Sequence, residues 1–316
     1  MASRTGIRRA IAITVCAGVT LCGAEDEEKP PGAAEATRSV IVHAAYPAPG
    51  TELASSSSSP PPHESVAQYL KALPHFASGT WLMTFPDKPE IRGAWETVYS
   101  FRNDSTVEAA VTLRFFSRAG QLLPMPIKGV SGRAADYTFI IPAQGARDVE
   151  LDNTADPVWP DALSVSTGWA AVICDNPSVK GQAFFTDYRY KSDGSVESKL
   201  TNMVSLVSLL SPGAIIPLPP TAPYSLPFYN DGMVSAYAFA NTKATPIVMR
   251  AKFYDQQGVY LGSIDKSLSA FGQISFSSTA ELSELDGKKG TMRLEGDGVI
   301  PLGFRFDTGT FTTLIP

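Results

Sequence analysis

The chain writes nearly the same five residues twice, YSFRN at 99–103 and YAFAN at 237–241. Residues 99–122 and 237–260 align at a constant offset of 138 with no gap. Tyr99, Phe101 and Asn103 meet Tyr237, Phe239 and Asn241. Phe115 and Phe116 meet Phe253 and Tyr254, and Gly120 meets Gly258. Upstream, LPHFASG at 73–79 answers LPFYNDG at 226–232 at an offset of 153, which sets His75 against Phe228. The difference between the offsets leaves 15 extra residues in the first copy, expected within Met83–Trp95. A duplication of this length restricts the chain to architectures built from two like units.

Inside each copy the hydrophobic period is two. Val107, Ala109, Val111, Leu113 and Phe115 alternate with Glu108, Ala110, Thr112 and Arg114; Ile247, Met249, Ala251 and Phe253 alternate with Val248, Arg250 and Lys252. Successive side chains of a strand point to opposite faces, so each segment has one buried and one solvated face. Both strands run into glycine turns, SRAGQ and DQQGV, where the positive φ of a hairpin loop is easily met. Further alternating segments follow in the same order, and the last hairpin of the first copy is read as Ser164–Cys174, the turn DNPS, then Val179–Tyr188. About seven short strands per copy, with a turn every 8–12 residues, predict an all-β fold of two tandem β-sandwich domains. With 25 Gly and 25 Pro, turns are favoured over long helices.

The ends of the units follow from composition. Residues 1–24 place Arg4, Arg8 and Arg9 before the apolar run AIAITVCAGVTLCG and a small-residue site, the order of a secretory signal peptide cut after Ala24. That run is short for a membrane span, and no later segment reaches the required length. Neither Cys16 nor Cys22 sits in a good lipid-attachment context. Residues 25–63, ending in SSSSSPPP, read as a disordered Ser/Pro-rich stalk. Val66, Tyr69, Leu70 and Leu73 lie at helical spacing, which predicts a short helix over 64–72. The first sandwich is expected over 73–205, a Pro-rich connector over 206–225 and the second sandwich over 226–316. The expected location is extracytoplasmic, secreted or periplasmic.

The motifs LP-x-[FY]-x-x-G at Leu73–Gly79, the aromatic strand ending in Asn at Tyr99–Asn103, the long strand through Leu113–Gly120, and Gly290–Leu294 followed by GFRF at Gly303–Phe306 resemble those of bacterial secreted proteins with tandem immunoglobulin-like β-sandwich modules. The resemblance covers roughly Leu73–Pro316 and implies the fold. That family brings no established activity, so it implies no site residues.

Catalytic equipment is scarce. The three histidines are His43, His63 and His75, and the first two fall in the stalk. A Ser-His-Asp or Cys-His site would rest on His75 alone, which reads better as a packing or surface residue. Once the signal leaves, Cys174 is the one remaining cysteine and reads as a small buried hydrophobe. One Cys and one His in the folded part do not make a zinc site, and no phosphate-binding glycine loop is present. Loss of three arginines takes the charge from −5 to 23 − 31 = −8, which disfavours nucleic acid. Asp148, Glu150, Asp152, Asp156 and Asp161 cluster in VELDNTADPVWPD, where calcium is the ligand to weigh against plain solvation.

The sharpest candidate is Trp169 with Phe184. If DNPS closes a hairpin, these two rings face each other across it and point outward, a platform for a partner protein, a glycan or a neighbouring domain. The expected function is a non-catalytic binding, adhesion or structural module without cofactor. The alternative is a secreted hydrolase using the acidic loop, with or without calcium.

Overall fold

A computed structural model describes residues 41–42, 69–85, 88–151, 165–191, 194–205, 207–208, 224–307 and 311–314. It is nearly all β, in antiparallel sheets. The strands of the first repeat are β1 (Tyr69–Phe85), β2 (Lys88–Asn103), β3 (Ala109–Ser117), β4 (Asp136–Ile141), β5 (Ala146–Glu150), β6 (Val165–Cys174), β7 (Val179–Tyr190) and β8 (Val196–Ser205). Those of the second are β9 (Ser225–Tyr229), β10 (Val234–Asn241), β11 (Ile247–Asp255), β12 (Tyr260–Leu268), β13 (Gln273–Ser277), β14 (Lys289–Glu295), β15 (Val299–Phe306) and β16 (Phe311–Leu314). Each strand of the second repeat thus carries the number of its counterpart plus eight.

The pairing repeats with the sequence. In the second repeat one sheet runs β9-β14-β11-β12 and the other β13-β10-β15-β16. In the first, β1-β6-β3-β4 and β5-β2-β7-β8 follow the same order, but the long β1 and β2 also pair with each other and join the two halves into one continuous sheet. Register agrees residue for residue: Leu113 faces Tyr137 and Ala251 faces Ile264, while Tyr99 faces Ala183 and Tyr237 faces Gly303.

The duplicated aromatics occupy equivalent places. Phe76 meets Phe115 edge-on at 5.8 Å, and Phe228 meets Phe253 edge-on at 5.6 Å. Tyr99 lies 6.2 Å from Phe115, as Tyr237 does from Phe253. The terminal asparagines also repeat. The amide of Asn103 donates to Val107 O at 2.7 Å while its Oδ1 accepts from Ser105 N; Asn241 donates to Thr245 O at 2.8 Å and accepts from Lys243 N. Each therefore ties down the loop after its strand. Gly168 and Gly290 are a matched close approach, since a Cβ there would come within 1.9 Å of Phe116 O or Tyr254 O.

Four expectations are corrected. The helix over 64–72 does not extend to Tyr69–Ala72, which open β1 and pair with β6; residues 64–68 lie outside the described set. Ala72 and Leu73 are buried, so tertiary pairing on both faces overrides a helical spacing. Second, His75 does not replace Phe228. The β1 register slips between Leu73 and Phe76, so that Phe76 faces Gly168 as Phe228 faces Gly290, and the first copy is one residue longer here. The other 14 extra residues extend the β1–β2 hairpin, which pairs from Gly79–Trp95 to Phe85–Lys88. Third, β6 and β7 do not form a hairpin: β6 pairs with β1 and β3, β7 with β2 and β8, and residues 175–178 cross between sheets. Fourth, the stalk is not without structure where described, and the extended connector pairs where described. Ile41–Val42 pair with Thr84 and Met83, and Val207–Ser208 with Ala72 and Lys71. The signal, the rest of the stalk and most of the connector lie outside the described residues.

The two repeats share a core. Tyr237 and Phe239 point into the second repeat, while Ala236 and Ala238 on the other face of β10, with Leu302, Phe304, Phe306 and Phe311, join the hydrophobic cluster of the first. Ala240 and Ile300 pack with Ala72, Phe116, Trp169 and Ala171. Phe304 lies edge-on to Phe185 at 5.8 Å, and Phe311 edge-on to Trp95 at 5.4 Å. The opposite, outer face of the second repeat is charged, with Arg250 on Asp265 at 2.7 Å and Lys252 on Glu295 at 2.6 Å.

Candidate functional site: the open sheet face of the first repeat

Along β7, Phe184, Thr186, Tyr188 and Tyr190 alternate with the buried Ala183, Phe185 and Asp187. The first set stands on the outer face of sheet β5-β2-β7-β8. Register carries rows across it: Glu150, Val98, Phe184 and Met203; then Glu96, Thr186 and Thr201; then Ala94, Tyr188 and Lys199. The corresponding face of the second repeat is the one buried against the first. There Ser100, Arg102, Lys180, Gln182 and Thr186 are answered by Ala238, Ala240, Ile300, Leu302 and Phe306. In the first repeat this face is open, with Met203 49% and Val196 52% exposed and Phe184, Tyr188 and Tyr190 half-buried.

The polar groups here are organised. The Tyr188 hydroxyl donates to Glu96 Oε2 at 2.7 Å, and its ring runs within 21° of Tyr190 with centroids 6.4 Å apart. Lys199 Nζ lies 5.0 Å from the Tyr188 ring centre. Thr186 and Thr201 share a hydroxyl hydrogen bond of 3.0 Å. Lys128 pairs with Glu150 at 2.8 Å, and Arg102 and Lys180 both pair with Asp104. Burial raises the Glu96 pKa and neighbouring Glu150 adds to the rise, against the Tyr188 hydrogen bond. The Lys199 pKa is raised by its hydrogen bond to Tyr188 and that ring's charge. Ring faces, hydroxyls and carboxyl–phenol hydrogen bonds thus present themselves on a surface whose charges are mutually answered.

Trp169 and Phe184 are not brought together, because their strands lie in different halves of the continuous sheet. Phe184 is outward as expected. Trp169 is outward on β6 but fully covered: it stacks on Phe116 at 4.7 Å, Phe116 stacks on Phe271 at 5.1 Å, and Trp169 Nε1 donates to Phe271 O at 2.6 Å. Phe271 adopts φ 53°, and its counterpart Gln144 φ 54°, so a repeated turn presents a docking ring in one copy and a polar residue in the other. His75, the extra residue of β1, is buried between Phe185 and Phe304 and its Nδ1 accepts from Gln273 Nε2 at 3.0 Å. Burial, with the Arg118 charge adding, pushes its pKa down to about 3. Cys174 is buried, which raises its thiol pKa. Of the acidic cluster, Asp148 and Glu150 lie on β5, while Asp152, Asp156 and Asp161 lie outside the described residues. Among the described residues no group of three His, Cys, Asp or Glu is placed to hold a metal ion, and no helix is long and apolar enough to cross a membrane.

Glu96, Tyr188, Tyr190, Lys199 and Met203 escaped the sequence reading, although continuing the alternation of FFTDYRY from Phe184 finds both tyrosines. No family model, curated protein or solved structure matches this chain.

Proposed function

We propose that the chain is a non-catalytic extracytoplasmic binding module, in which the second repeat serves as a docked support and the first presents the open face of β5-β2-β7-β8 to a partner surface. The observation that carries this reading is the fate of one face in two copies. In the second repeat it is apolar throughout, with Ala236, Ala238, Leu302, Phe304 and Phe306, and is covered; in the first it mixes aromatic rings with paired polar groups and is left open. Large apolar side chains grouped on an exposed face mark contact surfaces more often than chance placement does. The order of charges and apolar residues in 1–24 supports export, and the tandem immunoglobulin-like resemblance supports an extracytoplasmic setting. His75 is sealed between two rings, which supports a role without turnover.

The test is retention of the purified chain on immobilised extracellular material, separated into polysaccharide and protein fractions, with Phe184→Ser and Met203→Ser compared with the unaltered chain. Retention on either fraction that falls at least tenfold in the variants, with unchanged thermal unfolding, is the expected result. Retention on neither fraction, or retention indifferent to both substitutions, refutes the assignment of this face.

A further inference from the structure

We infer that the Tyr188–Tyr190 end of this face is a subsite for an uncharged polysaccharide chain; this rests on the proposed function and names the ligand class. Three features select that chemistry. First, two phenol rings, parallel within 21° and 6.4 Å apart, occupy consecutive same-face positions of β7, so they form a linear track along the strand. Aromatic rings offer apolar faces with a polar edge, which suits a sugar ring whose faces carry C–H groups and whose rim carries hydroxyls. Second, the rim partners are present beside the track. Glu96, itself anchored by the Tyr188 hydroxyl at 2.7 Å, has remaining acceptor capacity, and the exposed Thr201, hydrogen-bonded to the buried Thr186, offers a hydroxyl that can donate and accept.

Third, charge argues against ionic partners. Glu150 is held by Lys128, Asp104 by Arg102 and Lys180, and Lys199 lies over the Tyr188 ring. A polyanion would meet Glu96 and Glu150, and a polycation would meet Lys199 and Lys128, so neither gains net attraction here. A second copy of the chain is also disfavoured as occupant. The face that docks within the chain uses Ala238, Ala240, Ile300, Leu302, Phe304 and Phe306, whereas this one keeps only Phe184 of that apolar set, with Ser100, Arg102, Lys180, Gln182 and Thr186 at the other five positions.

The experiment is affinity electrophoresis of the full chain in gels containing galactomannan, xyloglucan or laminarin as uncharged probes, and polygalacturonate as the anionic probe. Expected is retardation by at least one uncharged polymer that persists in 0.5 M salt. That retardation should weaken at least tenfold in Tyr188→Ala/Tyr190→Ala and severalfold in Glu96→Gln. Because the double variant removes two half-buried rings, thermal unfolding is run beside it, and Tyr190→Ala alone serves if the double variant is unfolded. Retardation by polygalacturonate alone, no retardation by any uncharged polymer, or retardation unchanged in the tyrosine variants overturns the inference. The binding-module reading survives that failure if the protein fraction still retains the chain through Phe184 and Met203, and falls with it if nothing does.

Discussion

Acid should loosen this molecule through one residue, His75. In the folded state its imidazole is enclosed by Phe185 and Phe304, takes a hydrogen bond from Gln273 on Nδ1, and stays neutral with a pKa of about 3. In the unfolded chain the same group titrates near 6.5. The folded pKa is the lower one, so the contribution is fully present above pH 6.5. It is lost as pH falls from 6.5 towards 3, because only the unfolded chain takes up the proton in that window. Each unit costs about 1.4 kcal/mol, which amounts to about 3 kcal/mol by pH 4 and about 4 kcal/mol by pH 3. The assay is urea unfolding at half-unit steps from pH 3.5 to 8, on the wild type and on His75→Met. Methionine keeps an apolar side chain in place but leaves the Gln273 amide without its acceptor, a pH-independent loss of ~1–3 kcal/mol. All other titrations are common to both proteins, so the difference between the two curves isolates the histidine. Wild type should lose its advantage steadily below pH 6.5 and become the less stable of the two between about pH 6 and pH 4. Parallel curves across the whole range would refute the reasoning.

Two further outcomes follow from the packing. Trp169→Ala removes the central stack between the repeats and the hydrogen bond to Phe271, and should cost ~3–5 kcal/mol in a denaturant titration, whereas Phe184→Ala on the open face should cost about 1 kcal/mol; equal losses would contradict the burial of Trp169. The Tyr237 hydroxyl donates to Pro227 O at 2.9 Å while the buried Tyr99 hydroxyl finds no partner, so Tyr237→Phe should lose about 1 kcal/mol and Tyr99→Phe should be neutral or stabilising. Matching losses at the two tyrosines would refute the difference in their hydroxyl partners.

Strand identity and the repeat were legible because alternation is a local signal, and each strand's inner side chains pack on a core that both copies inherited. Phe115 and Phe253, or Asn103 and Asn241, therefore appear in the sequence as they do in space. What was not legible depended on distant partners. The sequence of 164–188 cannot reveal that β6 and β7 choose different neighbours, since a four-residue link suits a sheet-to-sheet crossing as well as a hairpin. Trp169 reads as outward by parity, and it is, but parity does not say that Phe271, 102 residues on, covers it. The slip at His75 was hidden because LPHF and LPFY align without a gap by residue type. The candidate site was half visible: Phe184 was found, and Tyr188 and Tyr190 lay two and three alternations further along the same strand.

The two exposed ends of this pair are chemically unlike the surfaces that hold it together. A third unit added after the second would meet Tyr254 and Thr291 where Phe116 and Trp169 received the second, with the Arg250–Asp265 and Lys252–Glu295 pairs on the same face. A unit added before the first would have to bury Arg102 and Lys180 with Asp104. Desolvating such groups opposes association, so these faces disfavour a further unit docked in the same geometry.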